Sequence, residues 1–281
     1  MRVELCPNIQ KDPEFKVTSS IVSVLVSLGH EVYISEEGPI LPEGVSTGIC
    51  ESPDMMVVIG GDGTIMRAAR RAAVTSTPVL GIDLGRVGYL AELAPDDIEG
   101  LKDILNGEYY VEKRMLLEAF TERNGVKVTK GRVAVNDAVI SLSGVSRLIE
   151  TEVICDGRSI GRYRSDGFIV STPTGSTAYS LSAGGPVLSP SLKGICLTPL
   201  CPHSLTARPV IVPADSDIEI RYISPYDNNA CLVVDGVDVA ELTAGDSLKV
   251  RRSALTADFI RANRDKAKSF YDVLREKMSD I

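Results

Sequence analysis

The chain has 281 residues, 44% of them hydrophobic and 24% charged, enough for one large or two medium globular domains. A formal net charge of −8 argues against a general nucleic-acid binder, which needs a basic surface to neutralise phosphates. With no run of about 18 apolar residues and no signal-peptide core at Met1 to Cys6, a cytoplasmic protein with no membrane partner is expected.

The first third alternates short apolar runs with helical spacing. Met1 to Leu5 reads as an opening strand, and Phe15 to Leu28 as a helix stopping at Gly29. Glu31 to Ile34 is a second strand. Met55 to Ile59 is continuously apolar, as a parallel strand buried on both faces must be. After Gly60 a helix is predicted from Thr64 to about Val74, then a strand over Pro78 to Ile82. This order indicates a doubly wound sheet.

From about residue 112 the pattern changes to short strands: 116–120, 126–128, 133–142, 152–155, 168–172, 195–198, 210–212, 218–222, 231–234 and 248–251. Turn pairs such as Asn124-Gly125, Asp156-Gly157 and Asp235-Gly236 punctuate them. Lys268 to Met278 returns to helical spacing. The expected fold is therefore α/β plus all-β. It has a Rossmann-like first domain (1–111), a β-sandwich-like second domain (112–252), and a tail (253–281) whose helix returns to the first.

The six cysteines are scattered and form no CxxC pair, so neither a zinc site nor a disulfide framework is expected. His30 and His203 are the only histidines, which excludes a three-histidine metal site within one chain.

Three segments carry chemistry. In Gly60-Gly61-Asp62-Gly63-Thr64 an apolar strand enters three glycines within four residues and then a helix. Such a loop brings backbone N–H groups to anionic oxygen. A carboxylate inside it would repel phosphate unless a metal intervenes or the carboxylate takes a proton, and both suit phosphoryl transfer to a hydroxyl. The bland alternative is a tight turn with Asp62 capping the helix. No Gly-Lys-Ser/Thr follows, so this is not a Walker A loop. The second segment, Asn136-Asp137, sits among β-prone residues and can hold a ribose or an adenine edge, or simply end a strand. The third, Ser165 to Pro186, leads from a strand into a loop dense in hydroxyls and glycines. Its Tyr179 can stack on a ring. Arg147, Arg162 and Arg164 flank its approach. Arg164 and Asp166, two apart, would share a strand face, where the arginine meets either a phosphate or a surface carboxylate.

Together these segments resemble the NAD kinase family. The pattern Gly-Gly-Asp-Gly-Thr (60–64), Asn-acid (136–137) and Thr-Pro-Thr-Gly-Ser-Thr-Ala-Tyr with a later Gly-Gly-Pro (172–186) appears in order. Gly81 to Leu90, Pro202 to Pro209 and Ser269 to Lys277 are similar as well. The first motif is shared with diacylglycerol-kinase-like lipid kinases and more loosely with phosphofructokinases; the third is the specific one. The resemblance implies phosphorylation of the adenosine 2′-hydroxyl of NAD by ATP with Mg²⁺ or another divalent cation, in a cleft between domains of a homodimer or homotetramer. No metal ligand is assigned directly.

By the same resemblance, Gly60, Gly61, Gly63 and Thr64 form the phosphate loop, and Asp62 accepts the hydroxyl proton. Asp62 and Gly63 also touch the dinucleotide, with Arg67 a phosphate contact. Asn136 and Asp137 hold the adenosine end. Arg147, Arg164 and Asp166 contact the ligand, with Asp166 near the nicotinamide. Thr174, Thr177, Ala178, Tyr179, Ser180, Leu181 and Ser182 wrap the NAD. Two departures stand out: Asp137 replaces the usual glutamate, and Val237 follows Asp235-Gly236 where glutamine is common. A lipid kinase would need an apolar cleft or a basic membrane-facing patch, and neither is visible. A catalytically silent nucleotide-binding regulator would have no need of Asp62. Removal of a 2′-phosphate in the same pocket stays open as a side activity.

Overall fold

Apolar runs alternating with amphipathic ones build strands joined through helices in the first hundred residues. In chain order these are β1 (Arg2–Pro7), α1 (Lys16–Ser27), β2 (Glu31–Ile34), β3 (Val45–Thr47), β4 (Met55–Gly60), α2 (Asp62–Ala72), β5 (Val79–Asp83) and α3 (Ile98–Leu105). The computed structural model describes residues 1–34, 44–85, 88–143, 148–223, 230–263 and 268–279. Arg147, Arg86 and Val87 lie outside them.

The strands pair in parallel in the order β5-β4-β1-β2-β3. All of β4 is buried, as its unbroken apolar sequence requires. Helix α2 buries Ile65, Ala68, Ala69 and Ala72, the i, i+3, i+4, i+7 stripe of an amphipathic helix. It begins at Asp62, two residues before the predicted start. Gly61 is the extended N-cap residue, and its carbonyl already accepts the N–H groups of Thr64 and Ile65 at 2.8 and 3.1 Å. Two elements, β3 and α3, escaped the periodicity. The start of α3 is marked by Asp97, whose carboxylate accepts the Gly100 N–H at 2.9 Å.

The remaining elements are β6 (Tyr109–Arg123), β7 (Val126–Lys127), β8 (Arg132–Ala134), β9 (Asp137–Leu142), β10 (Ile149–Cys155), β11 (Arg158–Ser165), β12 (Gly167–Ser171), α4 (Tyr179–Ser182), β13 (Gly194–Leu200), β14 (Val210–Pro213), β15 (Ile218–Tyr222), β16 (Ala230–Val234), β17 (Val237–Leu242), β18 (Asp246–Ala262) and α5 (Phe270–Ser279). Two units result, residues 1–114 with 255–281, and residues 115–254; β6 and β18 carry the chain from one to the other.

In the second unit β14-β13-β12-β9-β16-β17 form an antiparallel sheet. A second antiparallel set runs β11-β10-β15 and on to the first part of β18. Ile140, Phe168 and Val170 from one set and Val153, Ile220 and Leu248 from the other share one core. This is sandwich packing. The stretch 133–142, expected as one strand, breaks at Val135-Asn136. There the N–H groups of Val135, Asn136 and Asp137 turn to the Asp235 carboxylate at 2.9, 2.8 and 3.2 Å.

The last part of β18 pairs in parallel with β5 through Phe259 and Val79 in the first unit. In the same unit the Phe270 ring of α5 lies 5.8 Å from that of Tyr89. The α/β first domain, the β-sandwich-like second domain and the returning C-terminal helix are thus all present. Among the described residues no helix is long and apolar enough to cross a membrane.

Candidate active site

Parallel pairing places the carboxyl ends of β1, β4 and β5 along one edge, where open α/β sheets hold ligands. Two backbone bonds knit the loops there: Asn8 N–H to Ile59 O at 2.8 Å, and Leu84 N–H to Gly60 O at 3.2 Å. Asp62 is the first residue of α2, so its carboxylate complements the helix dipole. It does not cap that helix. Instead its two oxygens accept the N–H groups of Tyr89 and Leu90, at 2.9 Å on Oδ2 and 3.1 Å on Oδ1. The helix-cap alternative is thereby replaced by a carboxylate held half-buried in a fixed orientation. Gly88 makes room for it, since a Cβ there would fall 2.1 Å from Asp62 Oδ1.

Further residues complete this edge, among them Asn8 and Lys11, which no motif marks. Lys11 follows β1, and its Nζ would lie 2.9 Å from a Cβ placed on Gly61 and 3.4 Å from one on Gly85. An ammonium therefore stands over the glycine loop. Asn8 donates from Nδ2 to Thr64 Oγ1 at 2.8 Å, and Arg67 from Nη2 to the same oxygen at 3.4 Å. Asn8, Thr64, Arg67 and Arg71 line a cavity of about 530 Å³. Asp83 ends β5. Its Oδ1 accepts the Gly85 N–H at 3.0 Å, while its buried Oδ2 has no hydrogen-bond partner among the described residues. Burial, with the Asp62 charge in support, pushes the Asp83 carboxyl up against the opposing pull of the Gly85 amide and Lys11. Among the described residues no group of three or more His, Cys, Asp or Glu side chains could hold a metal by itself. The one sequence signal for Asn8 and Lys11 was their place after a predicted strand, whereas Asp83 also falls in the Gly81 to Leu90 stretch that resembles the family.

In the second unit Asn136-Asp137 and the hydroxyl-rich segment meet as backbone neighbours. Thr172 donates from Oγ1 to Val135 O at 2.6 Å and from its N–H to Asn136 O at 2.8 Å. Gly175 passes so close that a Cβ there would lie 2.2 Å from Asn136 O. The hydroxyls divide into two sets. Ser176 and Ser180 are buried and internally satisfied: Ser176 Oγ donates to Pro173 O at 2.6 Å, and Ser180 Oγ pairs with Thr198 Oγ1 at 3.0 Å. Thr174 is buried as well. Tyr179, Leu181 and Ser182 are exposed, and Thr177 and Ala178 are half-exposed. The segment thus has a rigid inner lining and an outer face bearing an aromatic ring.

Asp137 is buried at 5% exposure beside Asp235. Burial, and second the Asp235 charge, push its carboxyl up to about 7. Arg164 and Asp166 do not share a strand. Arg164 is on β11, whereas Asp166 is the corner between β11 and β12, its N–H donating to Leu200 O at 3.0 Å. Arg162, Arg164, His203 and Arg208 line a basic cavity of about 490 Å³. Arg147 lies outside the described residues.

Comparison with known proteins matches this geometry to one family. Residues 40–109 match the ATP-NAD kinase N-terminal domain and residues 135–262 the ATP-NAD kinase C-terminal domain. The NAD kinase of Desulforamulus reducens is 37% identical over 284 residues, covering 99% of this chain and 97% of the relative. That of an Azoarcus species is 44% identical over 226 residues, covering 80% and 75%. Among solved structures, yeast NADH kinase complexed with NADH superposes with a TM-score of 0.84 at 25% identity, covering 98% of this chain and 85% of that one. An NAD kinase from Archaeoglobus fulgidus in complex with ATP gives 0.74 at 25% identity, with 100% of each chain covered. With both family domains matched in order and relatives similar along nearly the whole length, the chain belongs to the NAD kinase family.

Proposed function

We propose that this protein transfers the γ-phosphoryl group of ATP to the 2′-hydroxyl of the adenosine ribose of NAD, forming NADP and ADP. The observation that carries the reading is the Asp62 carboxylate, held by two backbone amides at the end of a glycine loop and not used as a cap. Its place in the reaction is to accept the hydroxyl proton as the new P–O bond forms and the bond to the ADP oxygen breaks. Phosphoryl transfer asks mainly for alignment and charge neutralisation. Loop N–H groups at Gly61 to Gly63, Lys11 and Arg67 serve the second need.

A divalent cation such as Mg²⁺ fits these residues as a partner of the nucleotide. It commonly takes one or two carboxylates together with phosphate oxygens and water. Asp83, whose buried Oδ2 has no hydrogen-bond partner among the described residues, would hold it. When bound, the cation neutralises charge developing on the phosphates.

In the second unit Asn136 and Asp137 take the adenosine end of the dinucleotide. Tyr179, Leu181, Ser182, Thr177 and Ala178 offer it a surface, while Thr174, Ser180 and their neighbours shape that surface from beneath. Arg164 and Asp166 serve the rest of the dinucleotide. The assembly is a homodimer or homotetramer, which sedimentation would read directly.

Incubation of the purified protein with ATP, Mg²⁺ and NAD should yield NADP; none with any phosphoryl donor would refute the assignment. Gly88→Ala should lower kcat on the order of 100-fold, because the new methyl displaces Asp62 from its alignment. A Gly88→Ala enzyme within twofold of the parent would show that this alignment is not required.

A further inference from the structure

The segment that orients Asp62 is itself held from behind. Arg261, near the end of β18, is buried. Its Nη1 donates to Leu90 O and Ala91 O at 3.3 and 3.4 Å, and its Nη2 to Tyr89 O at 3.4 Å. Two carboxylates fix the guanidinium: Glu92 Oε2 accepts from Nη1 at 3.1 Å and Glu112 Oε2 from Nε at 2.8 Å. Glu92 is anchored in turn, its Oε1 accepting the Ala262 N–H at 2.9 Å.

The peptides of residues 89 to 91 are therefore gripped on two sides. Arg261 takes the carbonyls of Tyr89 and Leu90, and Asp62 takes their N–H groups. A charged donor on a peptide carbonyl also polarises that chain of hydrogen bonds, which strengthens the bonds onward. A planar guanidinium brings five N–H donors to these carbonyls and carboxylates, Nη1 sharing its two among three acceptors, whereas an ammonium has three in all. Stability alone gives little reason for the arrangement, because a buried ion cluster is often matched by apolar residues of similar volume.

We infer that Arg261 is a positioning residue for phosphoryl transfer, acting through the backbone of Tyr89 and Leu90 to hold Asp62 in line. This rests on the role proposed for Asp62. Substitution should appear in kcat and leave substrate binding in place, since Arg261 touches neither substrate in this scheme.

The test is Arg261→Lys in the full-length chain. It should lower kcat roughly tenfold or more, with KM for NAD and ATP within about twofold, and should speed amide hydrogen exchange at Tyr89 and Leu90. In an Asp62→Asn background the same substitution should cause no further loss, as expected of residues acting as one unit. An unchanged kcat, an equal loss in both backgrounds, or unchanged exchange at those two amides would each overturn the inference. If Arg261→Lys does not fold, Glu92→Gln loosens the guanidinium while keeping the side-chain shape. It must then move kcat and exchange in the same directions, or the inference falls. The exchange measurement needs no turnover. If the unaltered protein makes no NADP, it still decides whether Arg261 holds the segment, and only the proposed reaction is lost.

Discussion

Asp62→Asn should reduce turnover by about 10²–10⁴-fold, the range associated with loss of a general base. NAD affinity should change little, because the amide keeps the shape of the carboxylate. The asparagine carbonyl oxygen can still accept one of the two N–H groups that Asp62 takes, from Tyr89 or Leu90. What it lacks is the capacity to take a proton, and an acceptor for the second N–H, which its NH₂ group would face. Steady-state kinetics with a direct NAD binding measurement would separate these effects. A loss confined to KM would make Asp62 a binding residue. A turnover near that of the parent would mean that the hydroxyl proton leaves by another route.

Asp137→Asn should act on stability, with a size set by pH. The Asp137 carboxyl is pushed from 3.8 to about 7 by burial and the neighbouring Asp235 charge. Below pH about 4 the group carries its proton in both folded and unfolded chains, so it contributes no difference. As pH rises, the unfolded chain ionises first and the folded state loses stability relative to it. Above pH about 7 both forms are ionised and the full penalty, on the order of 4 kcal/mol, applies. Asparagine removes the charge and with it the penalty. The variant should therefore be more stable than the parent at pH 8, by up to about that amount, with the gain shrinking towards pH 5. Denaturant unfolding at the two pH values would check this, and a pH-independent difference would contradict it. The same change should weaken NAD binding, since a buried carboxylate is a strong acceptor for ribose hydroxyls. A site that is costly to the empty protein and useful to the occupied one is a recognised trade between stability and function.

Asp137 also shows where local sequence stops informing. Its replacement of the usual glutamate was visible at once, and a shorter side chain was the only consequence legible there. The titration depends on Asp235, 98 positions away in the chain, whose carboxylate also breaks the strand expected over 133–142. The same limit hid Lys11, which has no motif around it and reaches the glycine loop only because β1 lies beside β4. Asp166 was misplaced for a related reason. Two-residue spacing implies a shared face only while the strand continues, and here the chain turns a corner between sheets.

What the sequence determined by itself was the order of elements and the chemistry each motif carries. The unbroken apolar run of β4, the stripe of α2 and the hydroxyl-rich segment after β12 are local patterns, and local patterns follow backbone periodicity and turn chemistry. The tertiary structure alone decided which atoms Asp62 faces. That depends on parallel pairing, which brings residues 88–90 to the first turn of α2, and on a guanidinium contributed from residue 261. Contacts between residues so far apart in the chain are set by packing and by the need to satisfy buried N–H and C=O groups. No short stretch of sequence contains that information.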